Sequence, residues 1–161
     1  MSKDIESYQE AFDLLFKSVV YTTSLIVPKM LKNKWGRIIN VTSVSVKEPL
    51  NYLVLSNSIR SAVVAWAKSL SVDVGKDGVT VNSILTGYFD TERIKDLNKE
   101  KSKSLNISED EVLEKMKSLV PINRLGKTEE YGYLVSFLSS DKAAYINGAS
   151  IPIDGGLLKS Y

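Results

Sequence analysis

The stretch from Asn51 to Ser71 constrains the fold most. Leu55, Ile59, Ala62, Val63, Trp66 and Leu70 recur at three- and four-residue steps. That spacing predicts one long helix over 51–74 with these residues on one face. The opposite side carries Val54, Val64, Ala65 and Ala67, so it is not cleanly polar. A helix apolar nearly all round needs a partner on each side. Ser56 and Arg60 are four apart and stack one turn above the other. Tyr52 lies one further turn upstream.

The chain has 161 residues, with 21 basic against 19 acidic and neither Cys nor His. One domain is the default at this length. Such a chain buries about 70% of its unfolded surface and needs no staples. Balanced charge with no basic stripe argues against a nucleic-acid partner. The polar start is not a secretory signal, and no apolar run approaches the ~20 residues of a membrane span. A cytoplasmic protein is the expectation. Without Cys and His there is no disulfide, no thiolate or imidazole metal site and no Ser-His-Asp triad. Acid–base work falls to carboxylates, Lys, Tyr or hydroxyls.

Along the chain, 5–31 reads as a long helix apolar on more than one stripe, with Pro28 set to kink its last turn and Gly36 to stop it. Arg37 to Ser43 is β-branched and nearly continuously apolar, which predicts a buried parallel strand. Val79 to Leu85 predicts a second. Ala149 to Asp154 predicts a third, which Pro152 places at an edge. Residues 92–120 are the most polar part. Lys95 to Lys103 shows no apolar face and reads as a solvated, mobile segment. Ser108 to Glu111 is a capping box that opens a short helix. Thr128 is a candidate cap for a helix carrying Tyr131, Leu134, Val135, Phe137 and Leu138.

Several motifs share one resemblance. Ser61-Ala-Val-Val-Ala-Trp-Ala-Lys-Ser-Leu-Ser71 is similar to the helix after the Tyr-x-x-x-Lys pair of the short-chain dehydrogenase/reductase family. Thr42-Ser43 matches the hydroxyl pair that ends the family's fifth strand. Thr86-Gly87-Tyr88-Phe89-Asp90-Thr91 resembles its Pro-Gly-x-x-x-Thr loop, with Thr86 in place of proline. Pro121-Ile-Asn-Arg-Leu-Gly-Lys-Thr-Glu-Glu130 matches Pro-x-x-Arg-x-Gly-x-x-Glu-Glu, and Asp154-Gly155-Gly156 the closing Asp-Gly-Gly. Within the family the 3-oxoacyl-carrier-protein reductase branch is the nearest in character. The resemblance covers nearly all of 1–161 but only the second half of the family domain. The nucleotide-binding half, with its Gly-x-x-x-Gly-x-Gly turn, has no counterpart here.

The resemblance implies an α/β, Rossmann-like doubly wound parallel sheet, here as three parallel strands with flanking helices. It makes 92–120 a substrate lid. It implies NAD or NADP as cofactor, a small carbonyl substrate and a homo-oligomer, dimer or tetramer, through the helices at 5–31 and 51–74, with Trp66 near its centre. The catalytic serine position falls on Ser43, the tyrosine on Ser56, the lysine on Arg60 and the asparagine on Leu15. Arg60, Thr86, Gly87, Tyr88, Phe89 and Thr91 take the cofactor positions. Ser56 lacks a phenol's acidity and Arg60 stays charged, so it binds ribose but moves no proton. Tyr52 and Tyr88 are candidate replacement phenols. Two readings follow: an oxidoreductase with altered chemistry, or a catalytically inactive homologue that contributes binding or assembly surface.

Overall fold

The computed structural model describes residues 4–51 and 53–160; Tyr52 lies outside the described residues. Asp4 opens α1 (Ile5–Phe12) by accepting from the Ser7 N–H at 2.8 Å. The helix continues through a wide π turn, Asp13–Lys17, into α2 (Ser18–Asn33). The irregularity expected at Pro28 sits instead at 13–17, where the Ser18 N–H reaches back five residues to the Asp13 carbonyl. Pro28 is carried inside α2 without a break. Lys34, in the left-handed region with φ 54°, ends the helix, so Gly36 is not its stop. Gly36 opens the first strand, and there a Cβ would come within 2.6 Å of the Met30 sulfur.

Ile5–Asn33 therefore forms one helical run of 29 residues, long and apolar enough by length and composition to cross a membrane. That differs from the sequence expectation, because its apolar residues are spread over several stripes rather than contiguous. In the fold, its C-terminal part uses Val27, Met30 and Leu31 to pack on Ala67, Val74, Val79 and Val81.

Three parallel strands follow: β1 (Gly36–Val41), β2 (Val79–Thr86) and β3 (Ser150–Ile153), in the order β1-β2-β3. The register runs from Gly36 opposite Val79 to Val41 opposite Ile84, and from Ser83 opposite Ser150 to Thr86 opposite Ile153. Helix α3 (Val54–Val74) covers one face of the sheet and α6 (Thr128–Ser139) the other. Val79 to Leu85 is buried throughout, as a strand between two helical layers must be. On the α3 side Val79 and Val81 meet Ala67, Val74, Trp66 and Leu70. On the α6 side Ile84 meets Leu138 and Ala143, with Ile39, Leu134, Val135 and Ile151 around them.

The buried positions of α3 are Ile59, Val63, Ala67, Ser71 and Val74. Ala67 thus faces the sheet, not the second surface to which its sequence position assigned it. Four residues advance a helix by about 400°, which returns Ala67 to the face of Val63. Trp66 is half-buried and edge-on to Phe16 at 6.5 Å.

The charge-rich segment is also ordered, contrary to expectation. Thr91 caps α4 (Glu92–Leu105), Asn106 closes it in the left-handed region, and Lys95 pairs with Glu92 at 2.7 Å. It packs on α5 (Glu109–Ser118) and buries Asn98 against a helix that buries Val112. Ser108 makes the expected capping box with Glu111. Helix α6 begins at Thr128 itself. Its cap is Lys127, whose N–H donates to the Glu130 carboxylate at 2.8 Å.

In a parallel ladder alternate residues bond to the same side. The Gly36 N–H donates to the Gly78 carbonyl and the Thr42 N–H to the Ile84 carbonyl, so even-numbered residues of β1 serve β2. Arg37, Ile39 and Val41 turn their N–H and C=O groups outward. In β3 the same rule turns Pro152 outward, where a missing N–H costs no ladder bond. Strand β1 is expected to be buried on both faces. Instead, Val41 is 59% exposed. Amide exchange in the native protein is expected to be slow at Ile38 and Asn40 and markedly faster at Ile39 and Val41. Equal protection at all four would show the outer edge covered by another strand.

Candidate functional site

Open α/β sheets bind ligands beyond the C-terminal ends of their strands. Here those ends are Val41, Thr86 and Ile153. Thr42 ties the first two together, since both its N–H and its hydroxyl donate to the Ile84 carbonyl at 2.9 Å. Ser43 follows. Its hydroxyl accepts from the Ser45 N–H at 3.1 Å and opens the 3-10 turn Val44–Val46, which packs on α3.

Arg60 lies on the α3 side of the sheet. Its guanidinium donates to the Val41 carbonyl at 3.1 Å. That carbonyl is one of the outward-facing groups of β1, so Arg60 caps the open edge exactly where the edge meets the strand ends. Burial pulls the guanidinium below its ordinary value, and the Tyr131 phenol offsets this in part. Ser56 stands one turn upstream, half-buried. Leu15 lies inside the π turn, which packs against α3. Such turns leave a carbonyl without its usual helical donor. Here the Ser18 hydroxyl donates to the Leu14 carbonyl.

The residues expected at the cofactor divide. Thr86 ends β2, and its hydroxyl lies 3.1 Å from the Tyr131 hydroxyl. Phe89 is buried and edge-on to the Tyr131 ring at 5.3 Å. Gly87 donates to the Ile153 carbonyl at 3.0 Å, and a Cβ there would meet the Asp154 Cα at 2.6 Å. Its lack of a side chain therefore serves the turn's approach to β3. Tyr88 lines a cleft of about 120 Å³ with Arg124, Ile153 and Asp154, and burial pushes its phenol up. Thr91 caps α4 through the Ile94 N–H.

The residue the sequence placed only in the core is Tyr131. It contacts Thr86 and Phe89 and interacts electrostatically with Arg60. The available signal was its position in the first turn of a helix running back from the strand ends, among otherwise apolar core residues.

The fold defines the class of the protein: a parallel α/β sheet with a polar constellation beyond its C-terminal edge. A family model described as enoyl-(acyl carrier protein) reductase matches residues 1–158. The chain belongs to the short-chain dehydrogenase/reductase family. It is 33% identical over 140 residues to nodulation protein G of Azospirillum brasilense, covering 87% of this chain and 52% of the relative. It is 30% identical over 158 residues to the 3-oxoacyl-[acyl-carrier-protein] reductase FabG of Pseudomonas aeruginosa, covering 94% and 58%. The crystal structure of YwfH, an NADPH-dependent reductase involved in bacilysin biosynthesis, superposes with a TM-score of 0.93 at 28% identity, covering 99% of this chain and 61% of that one. L-sorbose reductase from Gluconobacter frateurii, complexed with NADPH and L-sorbose, also gives 0.93, at 30% identity, covering 100% and 62%. The chain spans between about half and three fifths of the length of these relatives.

The loop below the site is held by Arg124 and Glu130, paired through two bonds at 2.6 and 2.8 Å. The Arg124 guanidinium, then the Lys127 N–H, lowers the Glu130 carboxyl from 4.5 to about 2. A depressed folded value means this pair's contribution is present above the ordinary carboxylate range and is lost as pH falls through about 2. A carboxyl titration followed by NMR is expected to show Glu130 with a midpoint near 2 in the wild type. In Arg124→Gln the midpoint is expected to rise toward the ordinary range.

Proposed function

We propose that the protein is an NAD(P)-dependent short-chain oxidoreductase acting on a small carbonyl or alcohol, with altered proton chemistry at the tyrosine and lysine positions. The observation that carries this reading is the placement of Ser43, Arg60 and Thr86 at one sheet edge, in the order the family uses. The NADPH named for the structural relatives supports the cofactor. Arg60 is the residue for ribose oxygens, and the Thr86–Phe89 turn is the seat for the nicotinamide end. The described residues contain no glycine-rich turn opening a helix, so the phosphates would need another contributor. The bound dinucleotide would supply hydride. Ser43 would hold the carbonyl oxygen, and Ser56 would stand where a phenol normally gives its proton.

Serine is a far weaker acid than a phenol. Loss of a positioned general acid removes about 10²–10⁴ in rate. Ketone reduction by the native protein, followed by NADPH oxidation, is expected to be slow by that factor. The Ser56→Tyr, Arg60→Lys double variant is expected to be at least tenfold faster. Rapid wild-type turnover abolished by Ser56→Ala would overturn the assignment.

A second reading has its own observation. Arg60 is engaged on the Val41 carbonyl, and α1, α2 and the π turn between them contain no buried residue, with Phe12, Leu14, Tyr21, Leu25 and Ile26 exposed. Monomers rarely leave so much apolar surface bare. We propose that these helices, with the outer side of α3, form a self-complementary contact between copies of the chain. Because Ala67 belongs to the sheet face, the informative substitution is Val64→Glu. Light scattering is expected to show a dimer or tetramer in the wild type and dissociation in the variant. A monomeric wild type at working concentration would remove the contact.

A further inference from the structure

A cavity between α4, α5 and the loop 124–127 carries a further inference. It holds about 440 Å³, within the range of small-ligand sites. None of Ser43, Ser56, Arg60 and Thr86 lines it, so it is separate from the strand-end constellation. Asn98 lines it from α4 and is only 6% exposed, the buried residue of that helix. Its side-chain oxygen has no hydrogen-bond partner among the described residues. The neighbouring helix α5 fills its own buried position with Val112. An amide carbonyl set in such a place without a donor lowers stability. A buried acceptor of this kind calls for an N–H or O–H supplied from outside the chain.

The walls and rim define what that donor belongs to. Ile94 and Leu113 are half-buried and give the cavity aliphatic sides. The cations that line it are held by carboxylates: Lys95 pairs with Glu92 at 2.7 Å, Lys117 with Glu114 at 2.7 Å and Arg124 with Glu130 at 2.6 Å. Lys127 lies in the field of Glu130, and Lys95 also in that of Asp90. Glu109 and Asp110, exposed at the start of α5, line the same cavity and have no cation beside them among the described residues. The described residues contain no group of three or more carboxylates close enough to hold a metal ion. The unmet negative charge is therefore spread along the rim rather than focused on one point.

We infer that this cavity binds a small aliphatic polyamine. An alkylammonium group supplies N–H donors for the Asn98 oxygen, and its charge complements Glu109 and Asp110. Its methylene stem suits the aliphatic sides at Ile94 and Leu113. Several ammonium groups along one chain match a charge spread along a rim, which a compact cation does not. A ligand seated there touches α4, α5 and the loop 124–127 at once, and so ties the two helices to the loop beneath them. The inference is independent of the cofactor reading.

The test is calorimetric titration of the native protein with spermidine, and with magnesium as a cation that has no N–H donor. Spermidine is expected to bind saturably and to move the Asn98 side-chain N–H₂ signal in the NMR spectrum. Asn98→Leu is expected to weaken it about tenfold, the loss of roughly one hydrogen bond to a charged group. Asn98→Asp keeps the shape of the side chain, adds a negative charge and is expected to tighten binding, so it carries the test should the leucine variant fold poorly. Glu109→Gln with Asp110→Asn is expected to weaken binding as well. Those two substitutions leave the Ser108–Glu111 capping box in place. Unchanged affinity in both Asn98 variants would reduce the acids to a surface counter-ion patch and overturn the inference. Magnesium binding as tightly as spermidine, with the same response to the variants, would overturn it too. Absence of saturable spermidine binding would leave the cavity to solvent and end the inference.

Discussion

Every other feature of the chain depends on β2. Among the described residues it is the one strand bonded on both sides, and Val79 to Leu85 has no exposed residue. Its backbone polar groups cannot fall back on water, so each must be paired within the sheet or nearby. Asn147 shows how strictly this holds. Before β3 begins, its side chain accepts from the Val81 N–H at 2.9 Å, and its amide donates to the Ser71 carbonyl at the same distance. Asn82, buried within the strand, does likewise, donating to the Ile146 carbonyl and accepting from the Ala149 N–H. Two asparagines thereby extend the ladder where no strand residue is available, and they fix where β3 joins.

The outer side of β1 is less complete. Arg60 pairs the Val41 carbonyl, but the Asn40 side-chain nitrogen is buried without a partner, and the Val41 side chain stays exposed. Unpaired edges invite another strand. A buried amide left unsatisfied costs about 1–3 kcal/mol. Among the described residues β1 has a bonded neighbour only on its β2 side, whereas β2 is bonded on both. The asymmetry matters for chemistry, because Arg60 is both the residue that covers this edge and the residue expected to meet ribose. It cannot serve both at full strength. Whatever pairs with Val41 would free the guanidinium for a ligand.

The scaffold was legible because the residues that build it repeat. Period-four burial along α3, β-branched runs in β1 and β2, the Ser108 capping box and the proline in β3 each act locally, so spacing alone exposes them. What escaped depends on tertiary or backbone detail. The π turn at 13–17 has no residue signature comparable to Pro28, which proved harmless. Helix α4 lacks an apolar face, yet caps at both ends and packing on α5 hold it. Thr91 caps α4 and Glu130 pairs with Arg124, contacts that residue type alone does not specify. Ser43, Arg60 and Thr86 were identified through family motifs, and the structure sets them around one sheet edge. Their chemical roles follow from neither spacing nor fold.

Tyr131 shows why a site is harder to read than a core. In sequence it is one aromatic among several on an amphipathic helix, and packing explains it adequately. Only the fold reveals that its hydroxyl ends beside Thr86, at the single position where the family's proline is replaced by a residue able to hydrogen-bond. A half-buried phenol gains from a partner, and a proline could not have supplied one. The Thr86 hydroxyl gives the phenol a hydrogen-bond partner, and the phenol gives that hydroxyl a fixed direction. Ser56 and Arg60, both on α3, lie in the opposite helical layer. Contacts in the two helical layers thus meet at one end of the sheet, and substitutions on either side of it are to be interpreted together.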